Sequence, residues 1–423
     1  MEKFVVEGGR QLSGELPVMG SKNAATKLMA ASLLFDHPVS FANIPQIADV
    51  RKTSELLEKL GAEIHYDENG ILKINGTSAN SSALDPEIAK NMRASVVFLG
   101  PLLARYGTAQ IPHPGGCVIG KRPIDFFIDG FGKLGAVLKE SDEFYKFSAD
   151  ALRGSEIFLP FPSVTATETL MMAATSARGE TIIKNAAGEP EIRSLAEFLA
   201  FGGADIQGAG TNTIIIRGND ARPLHAGSLE PFRVIPDRIE AGSFAILAAL
   251  LGNDLKITDC RPEHLESLII QLESAGVEVR RGDTWLKISR PKKIRAASIT
   301  TAVYPGFATD LQSPFAVLLT QAEGESKVFE TVFEGRLHYL EELRRMGANV
   351  IPCDPHRAII IGPNKLRGRM MESPDLRAGL AFVIAALIAE GQSEIHNVFH
   401  IDRGYAQIEK RLQAVGAKIE RVT

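Results

Sequence analysis

The chain has 423 residues, 45% hydrophobic and 23% charged, with a formal net charge of −4. That balance fits a folded globular protein, is long enough for more than one core, and argues against broad nucleic-acid binding. No apolar run approaches the roughly 20 residues that cross a bilayer, and Met1-Glu2-Lys3-Phe4 leads straight into a strand-like pattern without the regions of a secretory signal, so a cytoplasmic protein is expected. Cys117, Cys260 and Cys353 stand far apart, with no close pair of the kind that makes zinc sites, and neither disulfides nor a metal is predicted.

Read in chain order, one unit recurs six times. Each opens with an apolar, alanine-rich helix, over residues 22–34, 93–104, 163–177, 238–251, 310–322 and 377–389, followed by a short strand such as 181–183 or 256–258. A second helix then ends at a small-residue stop. The stops hold Gly61, Gly135, Gly203, Gly276, Gly347 and Gly416, a period of about 70 residues. Glycine just past a helix end takes the left-handed turn that satisfies the last carbonyls, and the apolar residues beyond it begin a strand. The unit closes with a hairpin, as in Ile64-His65-Tyr66, Asn69-Gly70 and the strand after it, where Asn-Gly suits a two-residue turn. The opening helices are apolar over much of their circumference, which predicts an α/β protein with helices buried inside sheets.

The sixth unit runs out after Ile419 without a return strand like those at 71–76 and 214–218. Phe4-Val5-Val6-Glu7-Gly8 has that form, so the first strand is expected to pair into the last repeat. This predicts a split domain, 1–21 with 232–423 (repeats four to six), and a continuous domain, 22–231 (repeats one to three), joined near Gly20 and Pro231. An open solenoid is the alternative, but the polar terminal caps it needs are missing.

Buried apolar helices do not start on charges without cause, yet the six starts carry Lys22-Asn23, Arg93, Ser163, Arg238, Asp310 and Arg377. Taken singly, each reads as a cap or a surface charge. At repeat-equivalent positions they predict helix N-termini converging on a cleft between the domains that attracts phosphates and carboxylates. Asp310 is the one carboxylate among them and the candidate base, with N-capping as the competing role. On the base reading, Asp310→Asn removes turnover and leaves stability nearly unchanged. Cys117 lies among Gly115, Gly116, Gly120, Pro114 and Pro123, a loop in which Lys121 and Arg122 put positive charge beside the thiol. A lone cysteine also reads as a small buried hydrophobe, the structural role expected of Cys260 and Cys353.

Nine motifs, in order, carry a resemblance from end to end: Gly20-Ser21-Lys22-Asn23-Ala24-Ala25, Met92-Arg93-Ala94-Ser95, Pro114-Gly115-Gly116-Cys117, Arg122-Pro123-Ile124-Asp125, Asn185-Ala186-Ala187 with Glu189-Pro190-Glu191, Pro236-Asp237-Arg238-Ile239-Glu240, Thr309-Asp310, Asp375-Leu376-Arg377 and His400-Ile401-Asp402-Arg403-Gly404-Tyr405. With these the chain resembles the UDP-N-acetylglucosamine enolpyruvyl transferase family. The resemblance implies two inside-out α/β domains of three repeats each. It also implies transfer of the enolpyruvyl group of phosphoenolpyruvate to the 3′-hydroxyl of UDP-N-acetylglucosamine, with no metal or other cofactor, at the first committed step of peptidoglycan precursor synthesis; the partners expected are these small-molecule substrates, with no nucleic acid and no membrane, and the oligomeric state is left open.

By the same resemblance Lys22, Asn23, Arg122, Arg377 and Arg403 would hold phosphoenolpyruvate. Asn23, Arg93, Arg122, Pro123, Ile124, Asp125, Phe126, Ser163, Val164, Thr309, Asp310, Val332 and Phe333 would contact the UDP-sugar. Cys117 would give a proton to the methylene carbon and be the residue alkylated by fosfomycin, Asp310 would take the proton of the sugar hydroxyl, and Lys22 would also serve catalysis. The chain departs from common family forms at Phe161 and Thr165, both in the expected uridine segment. The alternatives are the sister enzyme that accepts shikimate 3-phosphate, which lacks the cysteine loop, and a non-catalytic nucleotide-binding relative.

Overall fold

A computed structural model describes residues 2–90, 92–113, 124–227 and 230–423. Cys117, Arg122 and Pro123 lie outside the described residues. The chain divides into two compact units: a split unit built from Met1–Met19 and Pro236–Thr423, and a continuous unit built from the stretch between, Gly20 to Ile235. The divisions fall a few residues from those read in the sequence. Asp237 N donates to Met19 O at 2.8 Å and anchors residues 236–237 to the split unit, while Phe232–Arg233 pairs in parallel with Phe41 and Ala42 and stays with the continuous one.

Each unit is an inside-out α/β body, with buried helices jacketed by three sheets. In the continuous unit the buried helices are α1 (Lys22–Ala31), α2 (Leu99–Tyr106, entered through the 3-10 turn Arg93–Phe98) and α3 (Val164–Ala174). In the split unit they are α4 (Arg238–Leu251), α5 (Thr309–Leu319) and α6 (Leu376–Ile388). Alanine, leucine and isoleucine fall on every face of α4 and α6, so no polar stripe is left for solvent. All residues from Ile239 to Leu251 and from Leu376 to Leu387 are buried.

In five of the six repeats the strand after the buried helix lies inside its sheet, between a parallel neighbour and an antiparallel return strand, as Val39–Ala42 lies between Phe232–Arg233 and Leu72–Asn75; among the described residues Thr108–Pro112 is the exception, at the edge of its sheet. In the last repeat the N-terminal strand Lys3–Glu7 takes the return strand's place. It runs antiparallel to both Gln392–His396 and Lys418–Val422, with Phe4 opposite Ile395 and Arg421. The second helix of each repeat is amphipathic instead. Ala48–Lys59, for example, turns Val50, Thr53, Leu56 and Leu57 inward. The six glycines beyond these helices all have φ between 89° and 107°, the conformation in which a Cβ is penalised.

The first hairpin differs from the two-residue turn expected at Asn69-Gly70. Asp67 pairs with Ile71, Gly70 N donates to Asp67 O, and the Asp67 carboxylate accepts from Asn69 N at 2.9 Å and Ile71 N at 2.8 Å. The aspartate side chain thereby stabilises a three-residue loop ending in left-handed Gly70. A further repeat rule stands at the end of the strand after the buried helix: Asn43, Asn185, Asp259 and Asn397 all take φ between 53° and 61°, a region that Asn and Asp tolerate best among residues with a side chain. Cys260 is buried, and burial pushes its thiol up to about 11. Cys353 is exposed, at an irregularity in the outer strand Asn349–Asp354, so the buried structural role expected of both cysteines holds for Cys260 alone.

Candidate functional site

In the split unit the buried helices begin with polar groups that engage one another. Asp237 and Asp375 occupy the N-cap positions of α4 and α6. The first accepts from Ile239 N and Glu240 N, and the second from Arg377 N and Ala378 N, satisfying amides that have no partner inside the helix. Helix α5 starts differently: Ala308 is its cap residue, and Asp310 stands inside the first turn. The Asp310 carboxylate accepts from Arg336 Nη2 at 2.7 Å and from Arg377 Nε at 3.1 Å. The capping role weighed from sequence therefore gives way to an ion-pair role.

Both guanidinium groups are nearly closed to solvent, Arg336 at 6% and Arg377 at 4% exposure, and buried charge is tolerated only when paired. Burial works against the charge on Arg377, yet Tyr405 and Asp310 beside it hold the guanidinium above its ordinary value. Its Nη1 donates to the Tyr405 hydroxyl at 2.9 Å, while burial raises the Tyr405 phenol. Each Asp310 oxygen thus accepts from one guanidinium. Its side chain is 26% exposed, so a ligand can reach it.

Glu330 organises the rest of this end. It is fully buried where the repeat rule would put left-handed Asn or Asp, and its carboxylate accepts from Thr301 Oγ1 (3.0 Å), Thr309 Oγ1 (2.8 Å), Val332 N (2.8 Å) and Phe333 N (3.1 Å). One carboxylate therefore fixes Thr309, Val332 and Phe333 together, and the Arg336 guanidinium lies over the Phe333 ring at 5.7 Å. Arg403 is half-buried in the turn between Ile401 and Tyr405. Its neighbour Asp402 receives two bonds from Arg421, at 3.0 and 2.7 Å, so the C-terminal strand holds this turn. Burial and the Arg403 charge lower His400. A cavity of about 300 Å³ in the same unit, lined by Leu250, Leu251, Gln321 and Ile388, sits at the C-terminal ends of the buried helices and contains none of these residues.

In the continuous unit Ser21 caps α1 and Ser163 caps α3, each accepting from the amide three residues on at 3.3 Å. Lys22 Nζ lies 2.9 Å from Asp49 Oδ2, a carboxylate only 2% exposed in the first turn of Ala48–Lys59. That pair aims the ammonium of the first helix start. Asn23, Arg93, Phe126, Ser163 and Val164 are half-buried, Ile124 is buried and Asp125 is exposed at the start of Asp125–Lys133. Phe161 is 41% exposed just before α3, and the Thr165 carbonyl accepts from Thr169 Oγ1 within that helix.

Deeper in α3, Glu168 is fully buried. Burial pushes its carboxyl up to about 8, with Lys27 partly offsetting and Glu191 and Glu189 adding to the shift. The Lys27 ammonium stays 3.6 Å away, and neither Glu168 oxygen has a hydrogen-bond partner. Desolvation outweighs that long ion pair.

Asp49, Glu330 and Arg336 were not identified from sequence. Glu330 had a signal, since it interrupts the Asn/Asp rule at its repeat position. Asp49 and Arg336 had none, as each reads as an ordinary charge on a second helix or a loop.

An inside-out fold whose buried helices start on polar residues belongs to an enzyme class that its relatives make explicit. The chain belongs to the EPSP synthase (3-phosphoshikimate 1-carboxyvinyltransferase) family, whose sequence profile matches residues 6–412. Within that family it is similar to the UDP-N-acetylglucosamine 1-carboxyvinyltransferases of Halothermothrix orenii, at 45% identity over 422 residues, and Desulforapulum autotrophicum, at 43%, with the whole of each protein covered. Among solved structures it is similar to the enolpyruvyl transferase NikO from Streptomyces tendae, with TM-score 0.90, 25% identity, all of this chain and 99% of that one covered. An EPSP synthase from Acinetobacter baumannii shares the fold at TM-score 0.76 and 18% identity over the whole of both chains. Among the described residues no helix is long and apolar enough to cross a membrane.

Proposed function

We propose that this chain transfers the enolpyruvyl group of phosphoenolpyruvate to the 3′-hydroxyl of UDP-N-acetylglucosamine and releases phosphate, in the cytoplasm, as the first committed step of peptidoglycan precursor synthesis. The observation that carries the reading is full-length identity of 41–45% to relatives of that printed activity, far above the 18% to the EPSP synthase that shares the fold.

The chemistry is an addition followed by an elimination. The sugar oxygen attacks C2 of phosphoenolpyruvate while C3 gains a proton. The tetrahedral intermediate then loses phosphate from C2 and a proton from C3, and the enol ether forms. Asp310 takes the hydroxyl proton while Arg336 and Arg377 hold the carboxylate in place. Cys117 delivers the proton to C3. Lys22, Arg122, Arg377 and Arg403, with Asn23, bind the donor's phosphate and carboxylate, stabilising charge as the phosphate departs. Arg93, Arg122 to Phe126, Ser163, Val164, Thr309, Val332 and Phe333 bind the UDP-sugar with Asn23 and Asp310. An acid and a base in position contribute about a hundred- to ten-thousand-fold each.

The test is phosphate release from phosphoenolpyruvate with UDP-N-acetylglucosamine or shikimate 3-phosphate as acceptor. Release with the UDP-sugar alone is the expected result. Release with shikimate 3-phosphate alone would transfer the chain to the sister activity, and release with neither would remove the enzymatic reading.

A further inference from the structure

The continuous unit carries a second constellation that the proposed reaction does not use. Asp36 and His37 follow the 3-10 turn Ser32–Leu34, and His225 reaches them from the far end of the unit's sequence. Phe35 and Leu224 form a parallel bridge, Asp36 N donates to Leu224 O at 3.1 Å, Leu224 N to Leu34 O at 2.8 Å, and His225 N to Gly202 O at 2.9 Å. The backbone therefore fixes all three residues before any ligand arrives. Asp36 Oδ1 lies 2.6 Å from His37 Nδ1 and 2.9 Å from His225 Nδ1, and the two imidazoles are inclined at 51° with centroids 4.7 Å apart. One ligand atom from each residue lies within 4.8 Å of the others.

We propose that Asp36, His37 and His225 bind one divalent first-row transition ion of the zinc class. Two imidazole nitrogens and a carboxylate oxygen are donors that such ions prefer over magnesium or calcium, which take oxygen ligands. Around a tetrahedral zinc, donor atoms stand about 3.3 Å apart. The present hydrogen bonds are a few tenths of an ångström shorter, so small side-chain rotations open the triangle as the metal displaces the protons between nitrogen and oxygen. Approach is open: the Asp36 side chain is 43% exposed and that of His225 72%, which leaves the fourth position to water. The His37 ring is held edge-on to Phe35 at 6.1 Å, keeping one ligand rigid. The bound ion would fasten the chain around Leu224 to the turn after α1, at the opposite end of that helix from Lys22.

The experiment is calorimetric titration of the metal-stripped, full-length protein with zinc chloride, with thermal unfolding measured in parallel. One equivalent of zinc is expected to bind and to raise the unfolding midpoint, whereas magnesium chloride does neither. His37→Asn, His225→Ala and Asp36→Asn should each lower the affinity at least tenfold. His65→Ala, an exposed histidine elsewhere in the same unit, should bind as the native chain does. Since His225 is exposed, its variant is expected to fold, and a circular dichroism spectrum matching the native one verifies this. No binding to the native chain, or equal binding by the His225→Ala variant, would overturn the assignment. Cobalt absorption gives an independent readout: a tetrahedral visible band in the native protein that survives in His225→Ala also overturns it.

Discussion

Replacing Asp310 with asparagine separates chemistry from scaffolding, because the carboxylate that is the proposed base also neutralises two buried guanidinium groups. Asparagine keeps the shape. Its carbonyl can still accept from one arginine, but its amide then points donor-to-donor at the other, at the 2.7 Å or the 3.1 Å contact. Hydrogen bonds to charged groups contribute about 1.5–3 kcal/mol each. With Asp310 about a quarter exposed, solvent screening reduces the combined loss to about 2 kcal/mol. For a unit of this size that lowers the unfolding midpoint by about 4–8 °C.

Turnover should fall further, by about a hundred- to ten-thousand-fold, the contribution of a positioned base. The assays are phosphate release at saturating substrates and differential scanning calorimetry of the same preparations. Turnover within a few-fold of the native chain would refute the base. An unchanged midpoint would refute the argument that Asp310 anchors Arg336 and Arg377, and would restore the expectation from sequence that the change spares stability.

Glu168→Gln should flatten the dependence of stability on pH. The folded-state carboxyl titrates near 8 against an ordinary value of 4.5, so its contribution is full below pH 4.5 and is lost as pH rises through 8, with a slope of up to about 1.4 kcal/mol per pH unit; superimposable midpoint-against-pH curves for the two proteins would contradict this. Asp49→Asn removes the partner that aims Lys22 and should raise the KM for phosphoenolpyruvate about tenfold, equivalent to about 1.4 kcal/mol, while the KM for the UDP-sugar stays fixed. Glu330→Ala leaves four donors without their acceptor, costs about 2–4 kcal/mol of stability, and should raise the KM for the UDP-sugar more than it lowers kcat, as steady-state kinetics would reveal. Fosfomycin with UDP-N-acetylglucosamine should label Cys117 in peptide mapping, and Cys117→Asp should keep activity and resist the drug. A general alkylating reagent should mark exposed Cys353 as well and spare Cys260, whose buried thiol sits near 11; fosfomycin found on Cys353 alone would defeat the assignment.

The repeats were legible because their markers are local. A glycine in a small-residue stop after an amphipathic helix favours the left-handed turn through its own lack of a side chain, and all six take it. Alanine and leucine around a whole helix circumference leave burial as the only outcome, as α4 and α6 illustrate. The hairpin at Asn69-Gly70 was misjudged because a side chain two residues before the dipeptide, Asp67, competes for the same amides. At the helix starts, residue types could be read but not partners. Asp310 had one position and two readings, and the decision lay with Arg336 and Arg377, which are 26 and 67 residues away along the chain. Long-range ion pairs leave no period in a sequence. Glu330 is an intermediate case, visible as a break in a repeat rule, with its four hydrogen bonds visible only in the fold.

The N-terminal strand has a consequence for synthesis. Residues Lys3–Glu7 leave the ribosome well before both of their pairing partners, Gln392–His396 and Lys418–Val422. At about 5–20 residues per second the strand waits on the order of 20–80 seconds for its sheet, with Phe4 and Val6, fully buried in the finished protein, still in solvent. The continuous unit has all of its strands by Arg233 and can close during that interval. The split unit cannot, so its completion is a ring-closing event that needs residues 3–7 and 418–422 together. Loss of residues 418–422 would bare one edge, that of Lys3–Glu7, whereas loss of residues 3–7 would bare two, on Gln392–His396 and on Lys418–Val422.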